Sequence, residues 1–206
     1  MTRIAVLDYG IGNLRSAQKA FEKIGAEAEL TRDPERVLSA DGVVLPGVGN
    51  FGNCAKALLE TGVGDLSRQV VSVGIPFLGI CVGMQLLFES SEESPEVPGL
   101  GILSGHVKLI PGIVKLPQMQ WNSIKVEKIS PLLKGLDKKW FYFVHSYAVE
   151  EGSAGDVVTG VCEYGGRVAV TVQKDSVFAT QFHPEKSSES GRILLSNFLT
   201  YCESSK

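Results

Sequence analysis

At 206 residues the chain is long enough for one domain with a full core and short for two, and 44% hydrophobic with 21% charged residues is an ordinary globular composition. A net charge of -3 with no Lys/Arg block leaves no electrostatic footprint for nucleic acid or a membrane surface, so the expected partners are small molecules or proteins. The apolar run at 4–7 stops at Asp8, too soon for a signal-peptide core or a bilayer span, and the four cysteines lack Cys-x-x-Cys spacing; reduced thiols and a cytoplasmic location are expected.

In chain order, residues 4–7 form a short buried strand, Gly10 to Gly12 turn the chain, and Leu14, Ala17, Phe21 and Ile24 recur at helical spacing through 13–24. A second strand follows over 26–30 and a third over 43–45. The segment Pro46-Gly47-Val48-Gly49 is expected to break that third strand before a helix carrying Ala55, Leu58 and Leu59. Residues 75–78 are the fourth strand, with Pro76 tolerated near its start. Such alternation predicts a parallel sheet with right-handed crossovers and helices on both faces.

Beyond residue 100 the pattern changes. Segments 106–110, 122–126, 140–149, 157–164, 168–173 and 176–182 are strand-like, with turns at Gly152, Gly165-Gly166 and Lys174-Asp175, and a last helix covers 189–201. No linker, repeat or low-complexity stretch divides the halves. The expectation is a single three-layer α/β domain over 1–206, a flavodoxin-like, mostly parallel mixed sheet with an antiparallel extension. Its ligand site belongs at the carboxyl ends of the parallel strands, where the 46–49 turn and Cys81 both fall.

Cys81 carries the strongest chemical signal. It stands at the centre of Gly79-Ile80-Cys81-Val82-Gly83, where a strand runs into a helix, and so sharp a turn leaves no room for a Cβ two residues either side of its apex. At a helix N-terminus, unpaired N–H groups and the dipole favour the thiolate. A nucleophile needs a base, and the base an orienting group. His183 follows a strand-like run, and residues i and i+2 of an extended segment point the same way; with Pro184 fixing φ, Glu185 can hold the imidazole tautomer. His145, inside an apolar run, reads as a core or substrate-lining residue, and His106 as a surface strand residue.

An oxyanion needs two donors. The Val82 amide, directly after the nucleophile, is one; the Val48 peptide, able to swing between two glycines, is the other unless that loop is a plain strand-to-helix turn. Nucleotide motifs fail: Gly10-Ile11-Gly12 meets Arg15 where a dinucleotide fingerprint needs glycine, and no Gly-Lys-Ser/Thr follows a glycine loop. Histidine and cysteine are too scattered for a structural zinc site, so neither metal nor cofactor is expected. Cys54 and Cys162 read as small core residues, and Cys202 as part of a fraying tail.

Gly79-Ile80-Cys81-Val82-Gly83-Met84-Gln85-Leu86-Leu87-Phe88, with Gln181-Phe182-His183-Pro184-Glu185, resembles the class I (triad) glutamine amidotransferases over essentially the whole chain. Asp8-Tyr9-Gly10-Ile11-Gly12-Asn13, Pro46-Gly47-Val48-Gly49-Asn50-Phe51-Gly52, Tyr142-Phe143-Val144-His145-Ser146-Tyr147 and His183-Pro184-Glu185-Lys186-Ser187 are similar, within that family, to the glutaminase subunits of imidazole glycerol phosphate synthases. The resemblance implies a triad of Cys81, His183 and Glu185, oxyanion donors at Val48 and Val82, and L-glutamine held by Gly49, Gln85, Ser146 and Tyr147. It implies hydrolysis of glutamine through a cysteine thioester. It also implies a heterodimer with a TIM-barrel cyclase that receives the ammonia through a tunnel and makes imidazole glycerol phosphate and an aminoimidazole carboxamide ribotide in histidine biosynthesis.

One segment departs from the pattern. Pro117-Gln118-Met119-Gln120-Trp121-Asn122 has Gln120 where relatives carry glycine, in a loop that the resemblance puts near the partner; if that glycine serves a positive φ, the backbone differs here. The nearest rival is the glutaminase of pyridoxal phosphate synthesis, whose oxyanion loop typically reads Gly-Gly-Glu-Ser. A non-catalytic interaction protein and a peptidase on the same fold are the alternatives of another class; the complete triad argues against the first and the glutamine-contact residues against the second.

Overall fold

Apolar runs with no polar face must be covered on both sides, and the first half of the chain has several. The computed structural model, which describes residues 1–205, alternates β1 (Arg3–Leu7), α1 (Leu14–Glu22), β2 (Glu27–Thr31), α2 (Pro34–Leu38), β3 (Gly42–Gly47), α3 (Phe51–Glu60), α4 (Val63–Ser72), β4 (Phe77–Cys81) and α5 (Val82–Gln85). Every residue of β3 and β4 is buried. The second half holds β5 (Ser90–Ser91), β6 (His106–Leu109), β7 (Gln118–Ser123), β8 (Lys125–Val126), β9 (Trp140–His145), β10 (Tyr147–Val149), α6 (Glu151–Ala154), β11 (Val158–Glu163), β12 (Arg167–Lys174), β13 (Val177–Thr180) and α7 (Ser188–Ser204).

The main sheet runs β2-β1-β3-β4-β13-β12-β10-β6-β5, with β11 paired to β12 and β8. From β2 to β13 the pairing is parallel; β13, β12, β10 and β6 then pair antiparallel, and β5 joins β6 in parallel. The mostly parallel sheet with an antiparallel extension is therefore the observed architecture. β13 comes late in the chain yet lies beside β4, which brings the segment after residue 180 to the end of the Cys81 strand. A separate ribbon, β7 with β9, stands off this sheet.

Packing follows from a few large side chains. Phe21, Phe178 and Phe198 meet edge to face and tie α1 and α7 to the sheet, while Phe141 stacks on Phe182 at 4.0 Å between ring centroids beneath the His183 segment. Each such ring, fully buried, stabilises the fold by about 2–3 kcal/mol.

Several expectations shift. The turn at 46–49 does not end β3 at Leu45: the strand continues to Gly47, and Tyr9 Oη donates to Pro46 O at 2.8 Å. Pro76 lies just before β4, its carbonyl accepting from Val43 N. Helix α2 is an element the periodicity passed over, although its start is written locally: Asp33 Oδ1 accepts from Glu35 N and Pro34 takes the first helical position. The strand read over 140–149 divides at Ser146 because β9 pairs with β7 whereas β10 pairs with β6 and β12. The strand read over 122–126 begins at Gln118 and is split into β7 and β8. Cys202 is no fraying tail. It is 1% exposed and fills the space of the missing Gly42 side chain, where a Cβ would stand 2.5 Å from its sulfur.

Candidate active site

Three adjacent parallel strands, β3, β4 and β13, end at the same edge. Gly47 pairs with Cys81 and Thr180 with Ile80, so Val48, Cys81 and the segment leading to His183 emerge side by side. Cys81 has φ 56° and ψ -113°, a backbone state that costs a non-glycine residue about 1–3 kcal/mol and persists where the surroundings impose it. The surroundings are backbone: a Cβ at Gly83 would stand 1.9 Å from Leu45 O, and one at Gly79 2.9 Å from Gly83 O. That is the steric elbow expected from the glycines. The helix beyond it, α5, spans four residues. Four residues are too few to sum to a long macrodipole behind Cys81.

His183 is fixed by its backbone, its N–H donating to Tyr142 O at 3.0 Å and its carbonyl accepting from Ser187 Oγ at 2.6 Å. Gly191 lets α7 approach Pro184, whose carbonyl oxygen would be 1.8 Å from a Cβ there. The ring Nδ1 meets Glu185 Oε1 at 2.8 Å, the i to i+2 contact read from the sequence. Nε2 and Glu185 Oε2 are buried without a hydrogen-bond partner. Burial alone would pull the imidazole pKa down; the nearby Cys81 sulfur and the Glu185 carboxylate outweigh it and hold the pKa above the ordinary range. The sulfur is near enough to act on the ring's charge while lying outside hydrogen-bond geometry with Nε2.

The glycine loop is clamped at its flanks. Tyr9 Oη holds Pro46 O, and Cys54 Sγ donates to Val48 O at 3.4 Å, burial keeping both side chains protonated. Gly49 lies at φ 96°, a backbone conformation that favours glycine, with open space where a Cβ would be.

These residues border a cleft of about 400 Å³. Val48, Gly49, Cys81, Val82, Gln85, Ser146 and His183 line it, and Glu185 stands behind the His183 ring. Tyr147 does not line it; its carbonyl accepts from Gln85 Nε2 at 3.0 Å. Gln181 and Glu93 were not singled out from the sequence. Gln181 Nε2 lies 3.8 Å from Cys81 Sγ and its Oε1 accepts from Gln85 Nε2; its place two residues before His183 was the available signal. Glu93 is a cleft carboxylate that also accepts from Phe51 N at 2.7 Å, and nothing in its local sequence marks it among other loop acids. His145 lines the cleft and is buried, joining both senses in which it was read. Gln120 is an exposed residue of β7 opposite Phe143 and is not among the positive-φ residues, so no glycine-only backbone exists there.

Comparisons with known proteins bear on the whole chain. Residues 5–202 match the family model of glutamine amidotransferase class-I. The imidazole glycerol phosphate synthase subunit HisH of Acinetobacter baylyi is 47% identical over 98% of this chain and 99% of its own, and that of Methanothermobacter thermautotrophicus is 47% identical over 95% and 97%. Among solved structures, a glutamine amidotransferase superposes with TM-score 0.76 at 24% identity over 97% and 98% of the two chains, and PurLQS from Thermotoga maritima with 0.74 at 22% over the same shares; these show the fold.

Proposed function

We propose that this chain, which belongs to the class I glutamine amidotransferase family, is the glutaminase subunit of an imidazole glycerol phosphate synthase. It hydrolyses L-glutamine to glutamate and ammonia in histidine biosynthesis. The observation that carries the chemistry is the Cys81 elbow, with the Glu185-held imidazole of His183 at the ends of adjacent strands.

In the mechanism these positions support, the Cys81 thiolate attacks the side-chain amide carbon of glutamine. The Val48 and Val82 N–H groups take the oxyanion, each such donor contributing about 3 kcal/mol to the transition state. His183, charged beside Cys81 and Glu185, gives its proton to the departing ammonia and leaves a glutamyl thioester. The now neutral imidazole takes a proton from water, the resulting hydroxide attacks the thioester, and glutamate leaves as the thiolate and imidazolium return. Gly49, Gln85 and Ser146 hold the substrate, and Tyr147 acts behind them, its backbone carbonyl accepting from Gln85 Nε2. Glu93 faces the α-ammonium, the one cation of the substrate.

The partner is a TIM-barrel cyclase that receives the ammonia in a heterodimer. An exposed strip supports this reading: Met119, Trp121 and Trp140 are 62%, 45% and 57% exposed on the β7–β9 ribbon, which reaches the cleft at Val144, opposite Met119. The subunit works in the cytoplasm, with residues 1–206 as one catalytic domain; no helix among the described residues is long and apolar enough to cross a membrane. A glutamine-mimicking diazoketone tests the chemistry. Its adduct is expected on Cys81, and a protein left unmodified there, with or without cyclase, would sink the reading.

A further inference from the structure

Across the β7–β9 ribbon Gln118 pairs directly with His145, and both are buried. From them a hydrogen-bonded path runs to the nucleophile. His145 Nε2 is 2.9 Å from Gln118 Oε1, His145 Nδ1 is 2.9 Å from Tyr147 O, Gln85 Nε2 bridges Tyr147 O and Gln181 Oε1 at 3.0 Å each, and Gln181 Nε2 reaches Cys81 Sγ at 3.8 Å.

The proton positions along this path follow from donor and acceptor chemistry. A backbone carbonyl only accepts, so His145 Nδ1 carries the hydrogen. Burial holds the ring pKa down to about 4, so the imidazole is neutral and Nε2 offers a lone pair. An amide oxygen facing that lone pair repels it. The two ends of a carboxamide are nearly isosteric, and the half-turned Gln118 amide resolves the conflict: its NH2 donates to His145 Nε2 and its oxygen faces Cys162 Sγ, 3.9 Å from the other end of the amide. Cys162 can donate, because burial pushes its thiol up to about 11.

We propose that Gln118 and His145 are positioning residues of the glutaminase site: the amide, oriented by the Cys162 thiol, locks His145 as the Nδ1–H tautomer, and that ring fixes the Tyr147 carbonyl that aims Gln85. This rests on the glutaminase reading. With both Nε2 hydrogens of Gln85 engaged by protein acceptors, its Oε1 is left for the cleft, where a substrate N–H can meet it. The path also begins on the strand whose next residue, Met119, is exposed, so it links the ribbon surface to the cleft.

Nitrogen NMR of the imidazoles in the full chain bound to its cyclase tests the tautomer. His145 is expected to show a protonated Nδ1 and a bare Nε2 at neutral pH, and a protonated Nε2 overturns the proposal. Gln118→Met keeps the volume and removes the bonds; a fall of about tenfold in kcat/KM for glutamine is expected, carried by KM. A fall in kcat at unchanged KM, as from lost folded enzyme, or no change at all, overturns it. Should the wild-type complex release no ammonia, the glutaminase reading fails, and the tautomer measurement still decides the path.

Discussion

The two sides of the cleft are held by different physics. Around Cys81 the lock is steric: backbone of β3 and α5 occupies the space that Cβ atoms at Gly47, Gly79 and Gly83 would need. Around His145 the lock is a path of hydrogen bonds through Gln118, Tyr147 and Gln85. A steric lock fails to an added methyl group and ignores pH, whereas a hydrogen-bonded lock tolerates changes of shape and fails to a misplaced proton. The nucleophile must be rigid before substrate arrives, and the substrate-facing wall must answer a polar ligand, so each lock suits its side.

Replacing the reacting atom gives the largest expected effect. Cys81→Ala is expected to lower ammonia release in the cyclase complex by about 10⁴-fold or more while leaving the circular dichroism of the fold unchanged. Residual hydrolysis near wild type would place the nucleophile elsewhere and void the contrast.

Next comes the steric lock itself. Gly83→Ala drives a methyl into Leu45 O and is expected to destabilise the fold by about 3 kcal/mol or more, read from urea unfolding. A cost under about 1 kcal/mol would mean that the elbow relaxes easily.

The hydrogen-bonded side is tested by acid. His145 is neutral when folded and titrates near its ordinary 6.5 once unfolded, so between about 6.5 and about 4 the unfolded chain binds the extra proton and stability falls as pH falls. The loss is on the order of 2–3 kcal/mol and is expected to vanish from the pH profile of His145→Gln. His183 runs the other way: its raised pKa contributes stability that is full below its ordinary 6.5 and is lost as pH rises past it, a loss that His183→Asn removes. Superimposable acid limbs for wild type and His145→Gln would erase the distinction between the two sides.

The smallest effect is expected at the ribbon surface. Gln120→Gly is expected to change the ratio of cyclase-stimulated to basal glutaminase while moving basal turnover little, because Gln120 is exposed and is not among the residues that line the cleft. An unchanged ratio would show that the residue is silent.

Much of this was legible in the chain. Strand-helix alternation, the glycines flanking Cys81 and the i to i+2 step from His183 to Glu185 are local patterns, and local patterns set local geometry. The split at Ser146 was not legible, because it depends on which sheet each half of one apolar run joins, and partner strands lie far away in sequence. Nor was the burial of Cys202, which turns on the absence of a side chain at Gly42, distant in the chain.

The sequence by itself determined the glycine-flanked elbow at Cys81, the step from His183 to Glu185 and the family, since each is written in contiguous residues whose covalent spacing fixes their relation. Tertiary structure alone decided that β13 lies beside β4, that Glu93 joins the cleft while Gln181 packs behind it against Cys81 and Gln85, and that a second histidine is wired to Gln85. The physical reason is that hydrogen bonds and close packing act over a few ångströms of space, whatever the distance along the chain.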